Sequence, residues 1–176
     1  MRPAPGGTAE ASADVAKKDR HVSETPATQW LRGAGVAFTE HVYDYVAHGG
    51  TAESARQLGW PEHAVIKTLV MQNERAEPLI MLMHGDKQVS TKNLARAIGA
   101  RSIATCQPAV ALRHSGYQVG GTSPFGIRKP LPVYVEASVL ALPALLINGG
   151  RRGYLLGLAP VVLVSALGAQ AVNCAI

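Results

Sequence analysis

The stretches AVIKTLVMQ (64–72) and PLIMLMHG (78–85) decide the class of fold. Both are short apolar runs, and the residues between them are polar and suit a turn. Runs of this length and composition predict two buried strands that pair as a hairpin. Lys67 interrupts the first run, and a charged side chain at that position needs an explanation.

Helices and further strands are predicted on both sides of this hairpin. Thr25 as an N-cap, with Pro26 after it, begins the first helix, and Thr51 is the predicted cap of the second. The predicted helices lie near residues 24–35, 51–59, 90–100, 108–116 and 160–167. The further strands are predicted near residues 36–45, 131–135, 144–148, 153–158 and 170–174. This irregular alternation predicts a single α/β domain built on a mixed sheet.

The first 24 residues differ in composition from the rest of the chain. They are rich in Ala, Gly, Pro, Ser and Thr and contain no apolar run, so residues 1–24 are predicted to form a disordered tail. Residues 25–176 then form the domain, and 47% hydrophobic with 16% charged residues is typical of a soluble globular protein. The two cysteines, Cys106 and Cys174, suggest no disulfide framework, so a reducing cytoplasm is the expected compartment.

The stretch from Gly153 to Ile176 contains no charged residue and is long enough to span a bilayer. Pro160 and Gly168 interrupt it at positions that suit the first turn and the end of a short helix. We therefore expect a strand, a helix and a strand here, and no membrane span.

The net charge of +5 lies in the domain, because the charges of residues 1–24 cancel. From Lys87 to the C-terminus the chain has nine basic residues and one acid, Glu136. This asymmetry favours an anionic partner, either nucleic acid or a phosphate-bearing ligand, over a surface that is basic only for solubility. The scarcity of acids also disfavours a hydrolase that uses a pair of carboxylates.

Lys67 and two glycine-rich loops are the candidate sites of chemistry. A lysine within a strand either points outward into solvent or projects into a cleft, where it could hold a phosphate or a carbonyl group. In the loop VGGTSPFG (119–126), small residues would let backbone N–H groups converge on an anion or an oxyanion, although a tight turn would use the same residues. The segment NGGRRG (148–153) repeats the pattern with two arginines.

Other kinds of site have weaker signals. The histidines lack the spacing of a metal site, and Ser115 and Ser123 lack the G-x-S-x-G setting of a nucleophile. Cys106 is either a reactive thiol or a small buried apolar residue. No metal and no cofactor are therefore expected.

Five segments together resemble a known family. In chain order they are TPATQWLRGAGVAFTEHVYDY, HAVIKTLVM, QVSTKNLARAIGA, SGYQVGGTSPFGIRKPLPVYVE and INGGRRG. They are similar to the YbaK/EbsC family of aminoacyl-tRNA deacylases, which is related to the editing domain of bacterial prolyl-tRNA synthetases. The likeness runs from about residue 25 to the C-terminus, and it is strongest to the free-standing Cys-tRNA(Pro) deacylases.

The resemblance implies a mixed α/β fold with a curved, mostly antiparallel and partly barrel-like sheet. It also implies hydrolysis of the ester that joins a mischarged amino acid to the tRNA 3′ end. The implied catalytic residues are Lys67, Gly120, Gly121 and Ser123. The implied substrate-binding residues are Tyr43, Thr122, Pro124, Gly126, Asn148, Gly149, Gly150, Arg151 and Arg152. The implied partners are the acceptor end of aminoacyl-tRNA and a prolyl-tRNA synthetase, with the chain itself a monomer or a weak dimer.

Two departures from the family pattern bear on which amino acid is removed. Asn148 replaces a serine, and Leu155 replaces an acidic residue. Hydrolysis in the family looks substrate-assisted, with the cysteine thiol or a hydroxyl of the terminal ribose taking part. Two other functions stay open, namely a non-catalytic nucleotide- or RNA-binding module that uses the same basic cleft, and a peripheral membrane regulator that uses the apolar C-terminal stretch.

Overall fold

A computed structural model describes residues 24–176. The α-helices are α1 (Pro26–Gly33), α2 (Gly50–Leu58), α3 (Thr91–Ile98), α4 (Pro108–Ser115) and α5 (Val161–Ser165). The strands are β1 (Thr39–Val42), β2 (Val65–Asn73), β3 (Pro78–His84), β4 (Ile103–Thr105), β5 (Val133–Glu136), β6 (Leu145–Arg151), β7 (Tyr154–Leu158) and β8 (Gln170–Val172). Two 3₁₀ helices cover Glu62–Ala64 and Ala137–Ala141. The tail predicted for residues 1–24 lies, apart from Glu24, outside the described residues.

The predicted hairpin of β2 and β3 forms the centre of the sheet. Its antiparallel register runs from Ile66 opposite His84 to Gln72 opposite Pro78. The strand order is β1-β7-β6-β2-β3-β5-β8, and β4 pairs with the C-terminal part of β2. Within residues 24–176, four strand pairings are antiparallel and three are parallel, so the sheet is mixed, as predicted.

Both faces of the sheet are covered, which explains why the central strands are apolar on both sides. Ile80 and Leu82 of β3 pack on one face in a cluster that includes Leu31 of α1. The alternate residues of the same strand, including Met81, pack on the other face in a cluster with Leu94 of α3. Alternate side chains of β3 therefore pack against α1 on one face of the sheet and against α3 on the other.

The structure corrects three details of the sequence predictions. Gly49, and not Thr51, precedes α2, because the Thr51 hydroxyl donates to the Glu62 carboxylate at 2.9 Å instead of capping the helix. The first strand is shorter than the predicted span 36–45, and the Val36 N–H donates to the Leu31 carbonyl at the exit from α1, at 3.0 Å. Strand β4 was missed; it has three residues, and they are held by pairing with β2.

The C-terminal stretch folds as predicted, into β7, α5 and β8. The longest apolar segment of the sequence is thus divided between two sheet strands and one short helix. Among residues 24–176, no helix has the length and apolar character that crossing a membrane requires.

Candidate active site

Lys67 lies in β2 at a gap between two helix-covered parts of one sheet face. Val65 packs in a buried cluster with Ala55 of α2, and Met71 packs in a different cluster with Leu94 of α3. Since alternate residues of a strand share a face, the Lys67 side chain emerges on this same face, between the two clusters. The side chain of Lys67 is half-buried. This burial fits a lysine that projects into a cleft better than one that points outward into solvent.

The surroundings of the Lys67 ammonium group are both polar and charged. Its Nζ donates to the backbone carbonyl of Lys87. Burial lowers the pKa of Lys67 below its ordinary value, while the negative charges of Glu62 and Asp86 act in the opposite direction. An ammonium group has three donors, so one bond to a carbonyl leaves two N–H groups to bind a substrate oxygen.

Asn148 connects the strand that carries it with both glycine-rich loops. The parallel pairing of β2 with β6 runs to the residues just before Lys67 and Asn148, so the two side chains follow each other across adjacent strands on one face. The Asn148 Nδ2 donates to the Gly120 carbonyl at 3.0 Å, and its Oδ1 accepts from the Gly150 N–H at 2.7 Å. Asn148 therefore holds the two loops beside Lys67.

Much of the glycine content of the 119–126 loop serves internal packing. Gly120 has a φ of +85°, a conformation that glycine adopts without strain. A Cβ added to Gly121 would lie 3.0 Å from the backbone of Arg151. A Cβ added to Gly126, whose φ is +64°, would lie 2.6 Å from the carbonyl carbon of Pro26. These glycines let the loop approach the backbone of β6 at one end and of α1 at the other.

The middle of the same loop points into the protein. Thr122, Ser123 and Pro124 are all buried. The Ser123 hydroxyl accepts from the Phe125 N–H at 3.3 Å, and the Thr122 hydroxyl donates to the Gln118 carbonyl at 3.0 Å. Both hydroxyl groups are thus bonded to nearby backbone, and of residues 119–126 only the first two are exposed.

Gly149 and Gly150 form an irregularity in β6. A Cβ added to Gly149 would lie 2.7 Å from the Tyr154 ring, and one added to Gly150, whose φ is +103°, would lie 3.0 Å from the Tyr117 ring. The register between β6 and β7 shifts at these two residues. After this bulge Arg151 pairs with Tyr154, and Arg152 lies in the turn between β6 and β7.

Arg151 and Arg152 each lie over a tyrosine ring. The Arg151 Cζ is 5.0 Å from the ring centroid of Tyr154, and the Arg152 Cζ is 5.0 Å from that of Tyr45. The Arg152 Nε also donates to the Val119 carbonyl at 3.1 Å. Beside them is a cavity of about 400 Å³, lined by Gly116, Tyr117, Gln118, Gly121, Gly150, Arg151 and Arg152. An anion in this cavity would meet two guanidinium-bearing residues and glycine backbone.

Tyr43 and Leu155 border the cleft on the side of α2. The Tyr43 N–H donates to the Gly153 carbonyl at 3.0 Å, and burial raises the pKa of its hydroxyl. Leu155 is 4% exposed, pairs with Asn148 across β6 and β7, and packs with Val65. An acidic side chain at position 155 would be buried in this apolar cluster.

The predicted site residues therefore separate into two groups. In the first group, Lys67 is next to Asn148 on the adjacent strand, and Asn148 is bonded to Gly120, with Arg152 nearby. In the second group, Ser123 and its neighbours are buried inside the protein. Lys67 does not line the cavity beside Arg151 and Arg152, which is called the arginine cavity below. The link between Lys67 and the glycine loops had no signal in the sequence, since it depends on strands β2 and β6 pairing in parallel.

Sequence spacing also missed a cluster of possible metal ligands. His63, His84 and Asp86 have ligand atoms within 4.8 Å of one another, and the two imidazole rings stack with centroids 3.7 Å apart. The His84 Nδ1 contacts the His63 carbonyl at 2.6 Å, and its Nε2 contacts the Ser138 hydroxyl at 2.7 Å. Because both ring nitrogens of His84 are engaged, the cluster serves to hold the end of β3.

Cys106 has the features of a small buried residue. It is 6% exposed, and its Sγ lies 3.5 Å from the Gln72 Oε1. Burial raises the pKa of the thiol, so the nucleophilic thiolate is disfavoured at neutral pH. The structure favours the packing alternative over the reactive one.

Comparison with known proteins agrees with this geometry. The family described as the aminoacyl-tRNA editing domain matches residues 48–166. EbsC of Enterococcus faecalis, a proposed Cys-tRNA(Pro)/Cys-tRNA(Cys) deacylase, is 27% identical over 154 residues, which are 87% of this chain and 94% of that protein. A proline–tRNA ligase of Thermodesulfovibrio yellowstonii is 36% identical over 69 residues, which are 39% of this chain and 12% of the ligase. The crystal structure of a proposed trans-editing enzyme for prolyl tRNA synthetase superposes with a TM-score of 0.72 at 23% identity, over 86% of this chain and 98% of the other.

The family match covers more than half of the chain and includes Lys67 and both glycine-rich loops. The chain belongs to the aminoacyl-tRNA editing domain family. Its enzyme class is that of the aminoacyl-tRNA deacylases, which are ester hydrolases. The mixed α/β fold predicted from the sequence is also the fold of its structural relatives.

Proposed function

We propose that this protein is a trans-editing hydrolase that removes the amino acid from mischarged aminoacyl-tRNA, with Cys-tRNA(Pro) as the leading substrate. The name of the EbsC relative supports the choice of cysteine, and the likeness to proline–tRNA ligases supports tRNA(Pro). Editing by a second enzyme is needed where binding alone separates small amino acids poorly. A prolyl-tRNA synthetase is the proposed partner, and the protein acts as a monomer or a weak dimer in the cytoplasm.

One observation carries the proposal, namely the Asn148 side chain between the two glycine-rich loops and next to Lys67. Lys67 and Asn148 follow each other on adjacent strands, and Asn148 is bonded to Gly120 in the short exposed turn of Val119 and Gly120. An ester bound there would have its carbonyl oxygen near positive charge and near backbone N–H groups. Donors fixed in advance around a developing oxyanion lower the barrier to ester hydrolysis.

The proposed reaction needs no protein nucleophile. Water adds to the ester carbonyl, the negative charge forms on the carbonyl oxygen, and the ribose oxygen leaves with a proton to give free amino acid and tRNA. Lys67 holds the terminal ribose–phosphate and orients the ester, while the N–H groups at the exposed end of the 119–126 loop bind the oxyanion. The remaining predicted residues, Thr122, Ser123, Pro124 and Gly126, shape this loop from inside.

The proton that water loses is assigned to the substrate. Glu62 and Asp86 are the acids that influence Lys67, but Glu62 accepts from Thr51 at 2.9 Å and Asp86 pairs with His63 at 2.8 Å. Both carboxylates are thus engaged by other side chains. The cysteine thiol or a hydroxyl of the terminal ribose therefore assists hydrolysis, which makes the reaction sensitive to the chemistry of the amino acid.

The test is deacylation of a panel of charged tRNAs. We expect the protein to hydrolyse Cys-tRNA(Pro) faster than Ala-tRNA(Pro) or Ser-tRNA(Pro), and to spare Pro-tRNA(Pro). Release of labelled amino acid, with spontaneous hydrolysis subtracted, gives the rate for each species. If no ester is hydrolysed while tRNA still binds, the protein is a nucleotide- or RNA-binding module, and the proposal is wrong.

Asn148 offers a smaller prediction on the same assay. Asn148→Ala removes the bonds to Gly120 and Gly150, so the two loops lose their shared anchor and kcat/KM for the preferred tRNA should fall about tenfold. Asn148→Ser, which restores the family residue, should keep more activity and change the ratio of Cys- to Ala-tRNA(Pro) hydrolysis. Unchanged activity in Asn148→Ala would contradict the role given to these two hydrogen bonds.

A further inference from the structure

An exposed apolar patch borders the proposed site. Tyr45, Val46 and Val119 are 40%, 47% and 51% exposed. Tyr45 lies beside the glycine turn, since a Cβ added to Gly120 would be 3.3 Å from its ring. Large apolar side chains that border a polar cleft and remain open to solvent are typical of a contact surface for a ligand.

Arg152 fixes the Tyr45 ring in place. Its guanidinium carbon lies 5.0 Å from the ring centroid, and its Nε donates to the Val119 carbonyl at 3.1 Å. The arginine thus joins the tyrosine to the glycine turn and adds a positive charge next to the ring. An exposed aromatic ring that is already held by its neighbour loses little conformational freedom when a ligand stacks on it.

An unpaired nucleotide base fits this surface better than an apolar side chain does. Bases stack on aromatic rings and on arginine planes, and the phosphates that accompany them are attracted by the same arginine. The arginine cavity of about 400 Å³ begins at Arg152 and offers a place for such a phosphate. A purely apolar partner would gain nothing from the charge.

We propose that Tyr45, backed by Arg152, is the platform on which the 3′-terminal base of the tRNA acceptor end stacks. The inference rests on the proposed function and adds a positioning residue to it. Tyr45 borders Gly120, and Gly120 is bonded to Asn148 next to Lys67. When the base is held at Tyr45, the ribose and its ester are oriented toward Asn148 and Lys67. Hydrolysis requires this orientation of the ester.

The test compares two uncharged RNA minihelices, one ending in CCA and one with the same sequence but an abasic 3′-terminal nucleotide. We expect the wild-type protein to bind the abasic RNA about tenfold more weakly, which is the size of one base–aromatic stack. Tyr45→Leu should bind the complete RNA about tenfold more weakly and no longer distinguish the two. Tyr45→Phe should behave as wild type, because it keeps the ring.

Val161→Ala is the matched control, since Val161 is 64% exposed on α5 and outside the site. It should keep both the affinity and the tenfold difference. The platform is wrong if wild type binds both RNAs equally, or if Tyr45→Leu still distinguishes them. Because the RNA is uncharged, a base-dependent affinity that disappears in Tyr45→Leu supports the platform even if no mischarged tRNA is hydrolysed. Hydrolysis without base dependence keeps the proposed function and overturns the platform.

Discussion

Lys67→Ala should lower kcat/KM for deacylation of the preferred mischarged tRNA by about 100-fold or more, since Lys67 orients the ester and a misplacement of about 1 Å at the reacting groups costs about 100-fold in rate. The lysine is the charged group that emerges between the α2 and α3 clusters, and two of its three donors remain for substrate. Single-turnover deacylation under saturating enzyme would show whether the loss lies in the chemical step or in binding.

Two further variants define what the lysine contributes. Lys67→Arg keeps the charge but not the compact ammonium geometry, so it should keep only part of the activity. Arg75→Ala removes a positive charge from the exposed turn at the far end of the β2–β3 hairpin and should leave the rate unchanged. If Lys67→Ala keeps at least a third of the wild-type rate while its melting temperature is normal, the lysine does not act on the ester.

Gly126→Ala should destabilise the folded protein more than a methyl group added at any other glycine of the site. Gly126 has a φ of +64°, and the new Cβ would lie 2.6 Å from the carbonyl carbon of Pro26 at the start of α1. A left-handed backbone at a residue with a side chain costs about 1–2 kcal/mol. Overpacking against a fixed backbone adds about 1–3 kcal/mol. We therefore expect the free energy of unfolding to fall by about 3 kcal/mol in urea denaturation.

Gly35→Ala separates the two causes of this loss. Gly35 has a similar φ of +70°, but an added Cβ meets nothing within 4 Å. Its substitution should cost only the backbone strain, about 1 kcal/mol. Equal losses for the two variants would mean that the close approach of the loop to α1 contributes nothing, and that the glycine is needed for its conformation alone.

Local patterns in the chain were enough to find most of the elements. The apolar runs at 64–72 and 78–85 predicted the central hairpin because strands buried on both faces contain few polar residues. Thr25 caps α1 as its position suggested, since its side chain accepts from the backbone N–H of Thr28. Strand β4 was missed because its three residues are held by their pairing with β2.

The 119–126 loop is the part of the site where the structure differs most from the sequence prediction. Its glycines suggested close approach of a ligand, and the structure shows that Gly121 and Gly126 are approached by the protein's own backbone. A glycine pattern has the same appearance in both cases, because a missing Cβ admits any close neighbour. Of this loop, Val119 and Gly120 are exposed, and Gly121 lines the cavity beside Arg151 and Arg152.

The amino-acid sequence alone determined the class of fold, the basic character of the domain and the identity of Lys67 as its unusual polar residue. These depend on composition and on short-range periodicity, which can be counted along the chain. The tertiary structure decided that Lys67 and Asn148 stand side by side, because parallel pairing of β2 with β6 joins residues about 80 positions apart. It also decided that Tyr45 meets Arg152, because β1 pairs with β7 and the Tyr43 N–H donates to the Gly153 carbonyl. No local pattern specifies which distant strands pair, since that choice is made by the packing of the whole sheet.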